Sequence, residues 1–183
     1  MENQLKSTAV PILVSIAMVI AFWIVSLTIS SVILFIPVVI LSFVIYRFTF
    51  FNTCSRSDEL LPLYLVAVGV QMIHFAEEYL TGFTTALPAL IGAKPYPLGY
   101  WLAFNMVAYF IFILGGIVIF QKMKELMMIP IFFILAGVVL NGIGHVLLSL
   151  YVGGYFPGLY TALIYLVLGP LLMKKLFVLS RVH

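Results

Sequence analysis

Residues 60–82, LLPLYLVAVGVQMIHFAEEYLTG, form a long apolar stretch that carries three ionisable side chains close to its end. About 20 apolar residues, at a rise of 1.5 Å each, are enough to cross the hydrocarbon core of a bilayer. We therefore predict a membrane-spanning helix here, with His74, Glu77 and Glu78 inside the bilayer. Because ionisable residues within membrane helices are rare and usually functional, this helix is the first candidate for carrying the activity.

The composition of the whole chain is typical of a membrane protein. Of its 183 residues, 64% are hydrophobic and 8% are charged, and the mean hydropathy is +1.25. Soluble domains are about half apolar and about a quarter charged. The polar intervals are too short for a separate soluble domain, so we predict a single membrane domain over residues 1–183. The net charge of +3 is small, and we expect no nucleic-acid partner.

The other apolar stretches set the number of helices. Residues 9–46 are too long for one crossing, and the polar sequence TISS (28–31) divides them into a predicted N-terminal helical hairpin. The proline-rich residues 83–97 are expected to form an outer loop. Three further helices are expected at 98–120, at 128–152, and between GGYFPG (153–158) and the basic C-terminal tail. The predicted fold class is an all-α bundle of about six transmembrane helices.

The basic residues predict the orientation of this bundle. With six helices and both termini on the cytoplasmic side, the outer segments contain Lys94 alone. The inner segments contain the other basic residues, which are Lys6, Arg47, Arg56, Lys122, Lys124, Lys174, Lys175 and Arg181. This asymmetry agrees with the positive-inside rule. We therefore expect a multi-pass integral protein of the plasma membrane.

Two predicted helices that run in the same direction place polar side chains at one depth. At 1.5 Å per residue, HFAEE (74–78) and NGIGH (141–145) both lie roughly 20–27 Å from the inner ends of their helices. Residues four apart lie on one face of a helix, so His74 is aligned with Glu78, and Asn141 with His145. We expect these side chains to meet in the outer half of the membrane.

A third helix contributes polar and aromatic side chains to the same layer. Trp101, Asn105 and Tyr109 are spaced four apart and lie within roughly 5–17 Å of the outer side, because this helix runs inward from residue 98. Ser149 lies one helical turn after His145, on the same face of its helix. We expect Trp101, Asn105, Tyr109 and Ser149 to line a substrate pocket.

Buried carboxylates need compensation. A carboxylate near the centre of a membrane helix costs about 2.5–3.5 kcal/mol on insertion scales. Glu77 and Glu78 cannot both stay ionised at low dielectric without a proton, a cation or another partner. No Lys or Arg is predicted at this depth, so the compensating groups are the two histidines, protons, water or a metal ion. The alternative is that both glutamates extend into the headgroups and that His145 only packs between close helices.

Three short motifs resemble those of a known family. HFAEE (74–78) resembles the signature of the HXXEE family of small integral membrane proteins, which has no assigned biochemical activity. NGIGH (141–145) and YFPG (155–158) are similar to its second and third motifs. The resemblance covers a four-helix core at about residues 60–178, and the hairpin at 9–46 looks like an addition to that core. It implies one shared site that contains His74, Glu77, Glu78, Asn141, His145, Tyr155, Pro157 and Gly158.

The residue types favour a divalent-metal site. A His and a Glu four residues apart can bind one ion from the same helix face. We therefore expect His74, Glu78 and His145 to be metal ligands. Asn141 is expected to be a fourth ligand or to orient the others. A set of two histidines and one carboxylate with an open position suits Zn²⁺ or non-haem Fe²⁺.

The expected activity is that of a metal-dependent hydrolase or oxidoreductase. We expect Glu77, which lies beside the helix face that carries His74 and Glu78, to be the general base. Tyr155 is expected to be a second catalytic residue. Because the site lies at the depth of the acyl chains, the expected partner is membrane lipid and the substrate is lipidic.

Two other functions stay open from the sequence. A buried Glu beside a His is an acid–base pair, which would suit a metal-free isomerase or cyclase of an isoprenoid or sterol-like substrate. A His/Glu layer that opens to the outer side would also suit a protein that binds or transports protons or divalent cations. Against transport, no comparable polar residues continue the layer below Gln71 into the inner half.

Overall fold

The computed structural model describes residues 2–25, 29–52 and 54–180, and the regular secondary structure in those ranges is helical. Four helices in this part of the chain are long and apolar enough to cross a membrane: Ser57–Thr81, Leu98–Phe120, Lys124–Val152 and Leu159–Ser180. The predicted all-α membrane architecture is confirmed at this level. The count of six spans and the cytoplasmic position of both termini stay predictions.

The N-terminal segment forms helix α1 (Glu2–Val25) and helix α2 (Ile29–Thr49), which pack against each other. The predicted break at TISS (28–31) is placed slightly too late, because α2 is already helical at residue 29. Residues 26–28 lie outside the described part of the chain. The hairpin is in contact with the rest of the bundle, since α2 packs against the helix that begins at residue 128.

The stretch with the three ionisable residues forms helix α3 (Leu61–Thr81), as predicted. Pro62 lies in its first turn. Backbone N–H groups there have no partner within the helix, so proline, which lacks this group, costs no helical hydrogen bond. Gly82 ends the helix with a φ of +84°, a left-handed conformation that glycine adopts without strain. The next residues form a short helix, α4 (Phe83–Ala89), so the prediction of a loop over 83–97 is wrong for its first half. Backbone N–H groups in the first turn of α4 donate to the Gly82 carbonyl and stabilise it.

Helix α5 (Leu98–Phe120) has the predicted bounds. The helix expected at 128–152 changes type along its length. It begins as α6 (Met128–Phe132), continues as a π-helical segment (Phe133–Leu140) and ends as α7 (Asn141–Val152). Such wide turns are rare and are frequently found near functional sites. This one lies directly before NGIGH.

Helix α8 (Leu159–Ser180) completes the described chain. It packs against α3, α7 and the π-helical segment, whereas α6 packs against α2 and α5. The main helical partner of the 128–152 region therefore changes across the π-helical segment. As a result, α3, α7 and α8 form one group, and α5 is attached to it through α3 and α6.

The two ends of the bundle differ in packing. We call the end with residues 57–60 and 121–127 the inner end, and the end with 82–97 and 153–158 the outer end. Fully buried large side chains are concentrated towards the inner end and include Tyr46, Leu60, Tyr64, Ile119, Met127, Met128 and Ile131. Large apolar side chains such as Phe48 and Leu80 are about four-fifths exposed, which suits a surface in lipid. The candidate site lies on the outer side of this packed core.

Single cysteines test the predicted orientation. Cys54, the one cysteine of the chain, is replaced by Ser, and either Lys94→Cys or Lys122→Cys is introduced, because both lysines are exposed. In intact cells we expect a membrane-impermeant maleimide to label Lys94→Cys, and Lys122→Cys only after permeabilisation. The reverse pattern would contradict the predicted orientation.

Candidate metal centre

Three buried side chains from α3 and α7 converge on one point. His74 Nε2 lies 3.5 Å and His145 Nε2 lies 3.2 Å from the same oxygen, Oε1 of Glu78. One ligand atom from each of the three residues lies within 4.8 Å of the others, and the three side chains are 0%, 3% and 7% exposed. The predicted meeting of HFAEE with NGIGH is therefore confirmed for this trio. The two glutamates do not both extend into the headgroups.

The backbone of the YFPG turn orients His145. Its Nδ1 lies 2.7 Å from the carbonyl oxygen of Pro157, which can only accept a hydrogen bond. His145 therefore carries a proton on Nδ1. In the neutral ring, Nε2 is then an unprotonated acceptor, and it is this atom that faces Glu78.

A side-chain relay orients His74 in the same way. Its Nδ1 lies 2.7 Å from Thr161 Oγ1, and that hydroxyl lies 2.5 Å from Oε2 of Glu77. An ionised carboxylate only accepts, so the single hydroxyl proton of Thr161 goes to Glu77. The hydroxyl oxygen must then accept the Nδ1 proton of His74. This leaves His74 Nε2 unprotonated in the neutral ring and directed towards Glu78.

As neutral rings, His74 and His145 form a set of acceptors with Glu78, without a donor. With both Nδ1 protons engaged, each neutral ring presents its Nε2 lone pair to the same carboxylate oxygen. His74 Nε2 is buried and has no hydrogen-bond partner in the described part of the chain. A buried polar atom without a partner costs about 1–3 kcal/mol. A divalent cation would satisfy all three groups at once, since imidazole nitrogen and carboxylate oxygen are ordinary Zn²⁺ and Fe²⁺ ligands. The residues present therefore fit a metal ion.

Glu77 has a different environment from its neighbour. Its carboxylate accepts four hydrogen bonds: from the Tyr155 hydroxyl (2.8 Å), the backbone N–H groups of Tyr160 and Thr161 (2.9 Å each) and the Thr161 hydroxyl. These N–H groups lie in the first turn of α8, where a negative charge also interacts favourably with the helix dipole. Glu77 therefore caps α8 from α3.

Tyr155, the second expected catalytic residue, contacts Glu77. Its described contacts do not include His74, Glu78 or His145. Burial raises the pKa of its phenol above the ordinary value; a hydrogen bond with Thr81 opposes this shift, and the Glu77 carboxylate adds to it. The phenol thus keeps its proton and donates it to Glu77. No catalytic role of Glu77 or Tyr155 is tested by these contacts, and both roles stay predictions.

Gly158 permits the close approach of the YFPG turn to both imidazoles. Its φ of +91° is strained for any residue with a side chain. A Cβ at this position would lie 2.6 Å from Nδ1 of His145 and 2.8 Å from Cε1 of His74. Only glycine therefore fits here without moving the two rings.

A cavity of about 560 Å³ lies beside the trio, between α5 and α7. Glu78 and His145 form part of its wall, together with Trp101, Asn105 and Asn141. Most other lining side chains are apolar or aromatic. Sites for small molecules have volumes of about 300–1,000 Å³ and a similar balance of apolar and polar groups. The cavity thus joins the candidate metal ligands to an apolar space.

The other two predicted pocket residues lie outside the lining of this cavity. The hydroxyl of Tyr109 donates to the backbone carbonyl of Gln71 at 2.6 Å and thereby joins α5 to α3. The hydroxyl of Ser149 accepts from the backbone N–H of Phe156 at 3.2 Å and so stabilises the turn at 153–158. Both residues support elements that position the site.

Thr161 is the site residue that sequence reasoning missed. It lies three residues after Gly158, in the first turn of α8, where threonine is common and gives no specific signal. Its contact with His74 joins residues 87 positions apart. The Pro157 carbonyl was expected only through the family motif, because any residue can supply that oxygen.

A model of the family described as "Protein of unknown function with HXXEE motif" matches residues 65–172. The matched region extends from α3 into α8 and contains all three motifs of the site. It does not include α1 and α2. The comparisons with curated proteins and with solved structures give no match.

Replacing Gly158 tests the packing at the YFPG turn. We expect Gly158→Ala to lower the free energy of unfolding by about 1–3 kcal/mol from backbone strain, with a further loss from its contacts with both rings. Thermal unfolding in detergent measures the effect. Gly154→Ala is the matched control, because a Cβ there meets nothing within 4 Å. Equal stability of the two variants would contradict the close approach.

Proposed function

The chain belongs to the HXXEE family, and on that premise we propose that it is a membrane enzyme that uses a divalent metal ion to act on a lipidic substrate. The proposed ligands are His74, Glu78 and His145, which are contributed by the first two family motifs. Asn141, one helical turn before His145 on the cavity wall, is the proposed fourth ligand or orienting group.

One observation carries this proposal: both Nδ1 atoms are engaged by acceptors, and both Nε2 atoms are directed towards one carboxylate oxygen. A metal-free acid–base pair is the second candidate, because a proton between His145 Nε2 and Glu78 fits their 3.2 Å contact. That single proton leaves His74 Nε2 buried without a partner, however. A cation explains the contacts of both rings.

A metal ion at this position would supply Lewis-acid chemistry in the case of zinc, or redox chemistry in the case of iron. The proposed reaction is correspondingly a hydrolysis or an oxidation. The chain itself binds the substrate in the cavity and presents Glu78 and His145 to it. The packed inner end and the buried trio limit the access of water.

Glu77 acts, in this proposal, as a positioning residue for His74. Its hydrogen bond from Thr161 fixes the direction of the hydroxyl, and the hydroxyl fixes the tautomer and the orientation of the imidazole. Partners that orient metal-bound histidines in this way commonly raise metal affinity about 10–100-fold. Because four donors already surround its two oxygens, we assign Glu77 this positioning role, and its role as general base stays a prediction.

Transport of protons or cations is less well supported. On the inner side of the trio, the buried phenols of Tyr165, Tyr109 and Tyr64 donate to the Gln71 side-chain carbonyl and to the backbone carbonyls of Gln71 and Phe112. Each of these hydrogen bonds ends at an acceptor that cannot pass a proton on.

The proposed location of the enzyme is the plasma membrane, with its substrate drawn from membrane lipid.

Metal content tests the proposed function directly. We expect purified protein, supplemented with Zn²⁺ or Fe²⁺ and then dialysed, to retain about one ion per chain by elemental analysis. His74→Ala, His145→Ala and Glu78→Gln should each lose most of it, because each removes one ligand. His183→Ala, which changes the remaining histidine of the sequence, is the matched control. Equal metal in wild type and ligand variants would overturn the proposal.

Thr161 tests the relay to His74. Thr161→Val keeps the shape of the side chain but removes the hydroxyl, so we expect metal affinity to fall about 10–100-fold. Thr161→Ser restores the hydroxyl and should bind metal nearly as well as wild type. Competition with a chelator of known affinity measures the difference. If the Val and Ser variants bind equally well, the hydroxyl does not orient the ligand.

A further inference from the structure

We propose that the side chain of Gln71 is a second polar contact in the cavity, where its amide donates a hydrogen bond to a neutral oxygen atom of the substrate. The substrate is accordingly a largely apolar lipid with two oxygen functions. One is bound at the trio, and the other is a hydroxyl or carbonyl group roughly 10 Å away. This inference deepens the proposed function and rests on it for the position of the reacting group.

Gln71 lies two helical turns before Glu78 on the same face of α3. Residues seven apart on an α-helix share a face, and a rise of 1.5 Å per residue separates them by roughly 10 Å along the axis. Both side chains line the cavity. Gln71 is 8% exposed, so its amide is buried within the bundle. A ligand in the cavity therefore meets polar groups of α3 at two levels.

The hydrogen bonds of Gln71 leave its amide N–H groups available to a ligand. The phenol of Tyr165 lies 2.7 Å from Oε1 of Gln71. This phenol is 1% exposed and has no other acceptor among the described residues, so its proton is donated to the amide oxygen. In the same part of the chain, the amide nitrogen has no acceptor, although Gln71 lines the cavity. Since buried donors are normally paired, an acceptor from the ligand is expected here.

Neighbouring elements hold Gln71 in place before a ligand binds. Tyr109 of α5 donates to its backbone carbonyl, and Tyr165 of α8 donates to its side-chain oxygen. The amide also lies against the π-helical segment, because a Cβ built on Gly137 would be 3.6 Å from Oε1. A side chain that is already ordered loses little entropy on binding, so its hydrogen bond contributes more to affinity.

The charges of the cavity wall favour an uncharged oxygen. The described lining residues include Glu78 but no Lys or Arg, and the amide of Gln71 is neutral. An ionised carboxylate or phosphate beside Gln71 would therefore be buried without a counter-charge, which is strongly unfavourable. A hydroxyl or carbonyl oxygen needs only the hydrogen bond that the amide can donate.

The wall of the cavity on α7 also forms part of the surface that faces lipid. Leu140, Ile143 and Leu147 line the cavity and are 43%, 43% and 59% exposed. Apolar side chains on the surface of a membrane helix contact the acyl chains of the bilayer. A largely apolar ligand can therefore reach the cavity from the membrane, as the proposed substrate class requires.

Binding of terminal diols to the full-length protein tests this inference. Diols from hexanediol to dodecanediol are each compared with the primary alcohol in which a methyl group replaces one hydroxyl. Ligand-induced shifts of thermal unfolding, titrated in one detergent, give the ratio of the two affinities. We expect the wild type to prefer the diol, most strongly where the two oxygens of the extended chain are about 10 Å apart.

Variants at Gln71 show whether its amide causes this preference. Gln71→Met removes the amide at similar volume, and Tyr165→Phe is combined with it so that no buried phenol loses its acceptor. We expect the diol preference of this double variant to be about 3–10-fold smaller than that of Tyr165→Phe alone. Gln121→Met makes the same change at an exposed position outside the cavity lining and should keep the wild-type preference.

Two results would overturn the inference. One is a diol preference that is the same in the double variant and in Tyr165→Phe alone, which would make Gln71 a packing residue whose amide binds water. The other is equal binding of diol and alcohol by the wild type, a comparison that depends on no variant.

Metal content measured on the same samples separates this inference from the proposed function. A diol preference that depends on Gln71 in protein without metal would leave the second contact standing and remove the metal enzyme. Bound metal without a diol preference would do the opposite.

Discussion

The contact of Glu78 with two imidazoles, inside an apolar bundle, is the constraint on which the rest of the structure depends. A carboxylate at membrane depth costs about 2.5–3.5 kcal/mol unless it is compensated, and in the described part of the chain the imidazoles of His74 and His145 form ion-pair contacts with Glu78. Those partners come from different helices, so α3 and α7 must be held in register. Each ring is then oriented from behind, by Thr161 and by the Pro157 carbonyl.

The architecture meets this constraint by joining three helices at the outer end. Glu77 caps the first turn of α8 and so attaches it to α3, while Gly158 lets the preceding turn lie against both rings. The π-helical segment separates the part of its helix that packs on α2 and α5 from the part that packs on α8. The same change of partner leaves the cavity between α5 and α7, directly beside the trio.

Much of this arrangement is accessible from the sequence, because depth and helical face follow from residue counting. Those two quantities correctly bring His74, Glu78 and His145 together. They do not separate Glu77 from Glu78, since adjacent residues lie about 100° apart on a helix and their partners depend on which helices pack there. The role of Thr161, the helical start of 83–97 and the π-helical segment likewise depend on tertiary packing. The lining of the cavity by α2 has no signature in the sequence at all.

Anomalous difference density, collected at the zinc and iron edges from crystals of the metal-supplemented protein, measures the central contact most directly. A metal centre predicts one peak between the three side chains, about 2.0–2.2 Å from both Nε2 atoms and a Glu78 oxygen. A structure from supplemented protein in which no peak is present, and His145 Nε2 still contacts Glu78 directly, would contradict the metal centre and favour an acid–base pair.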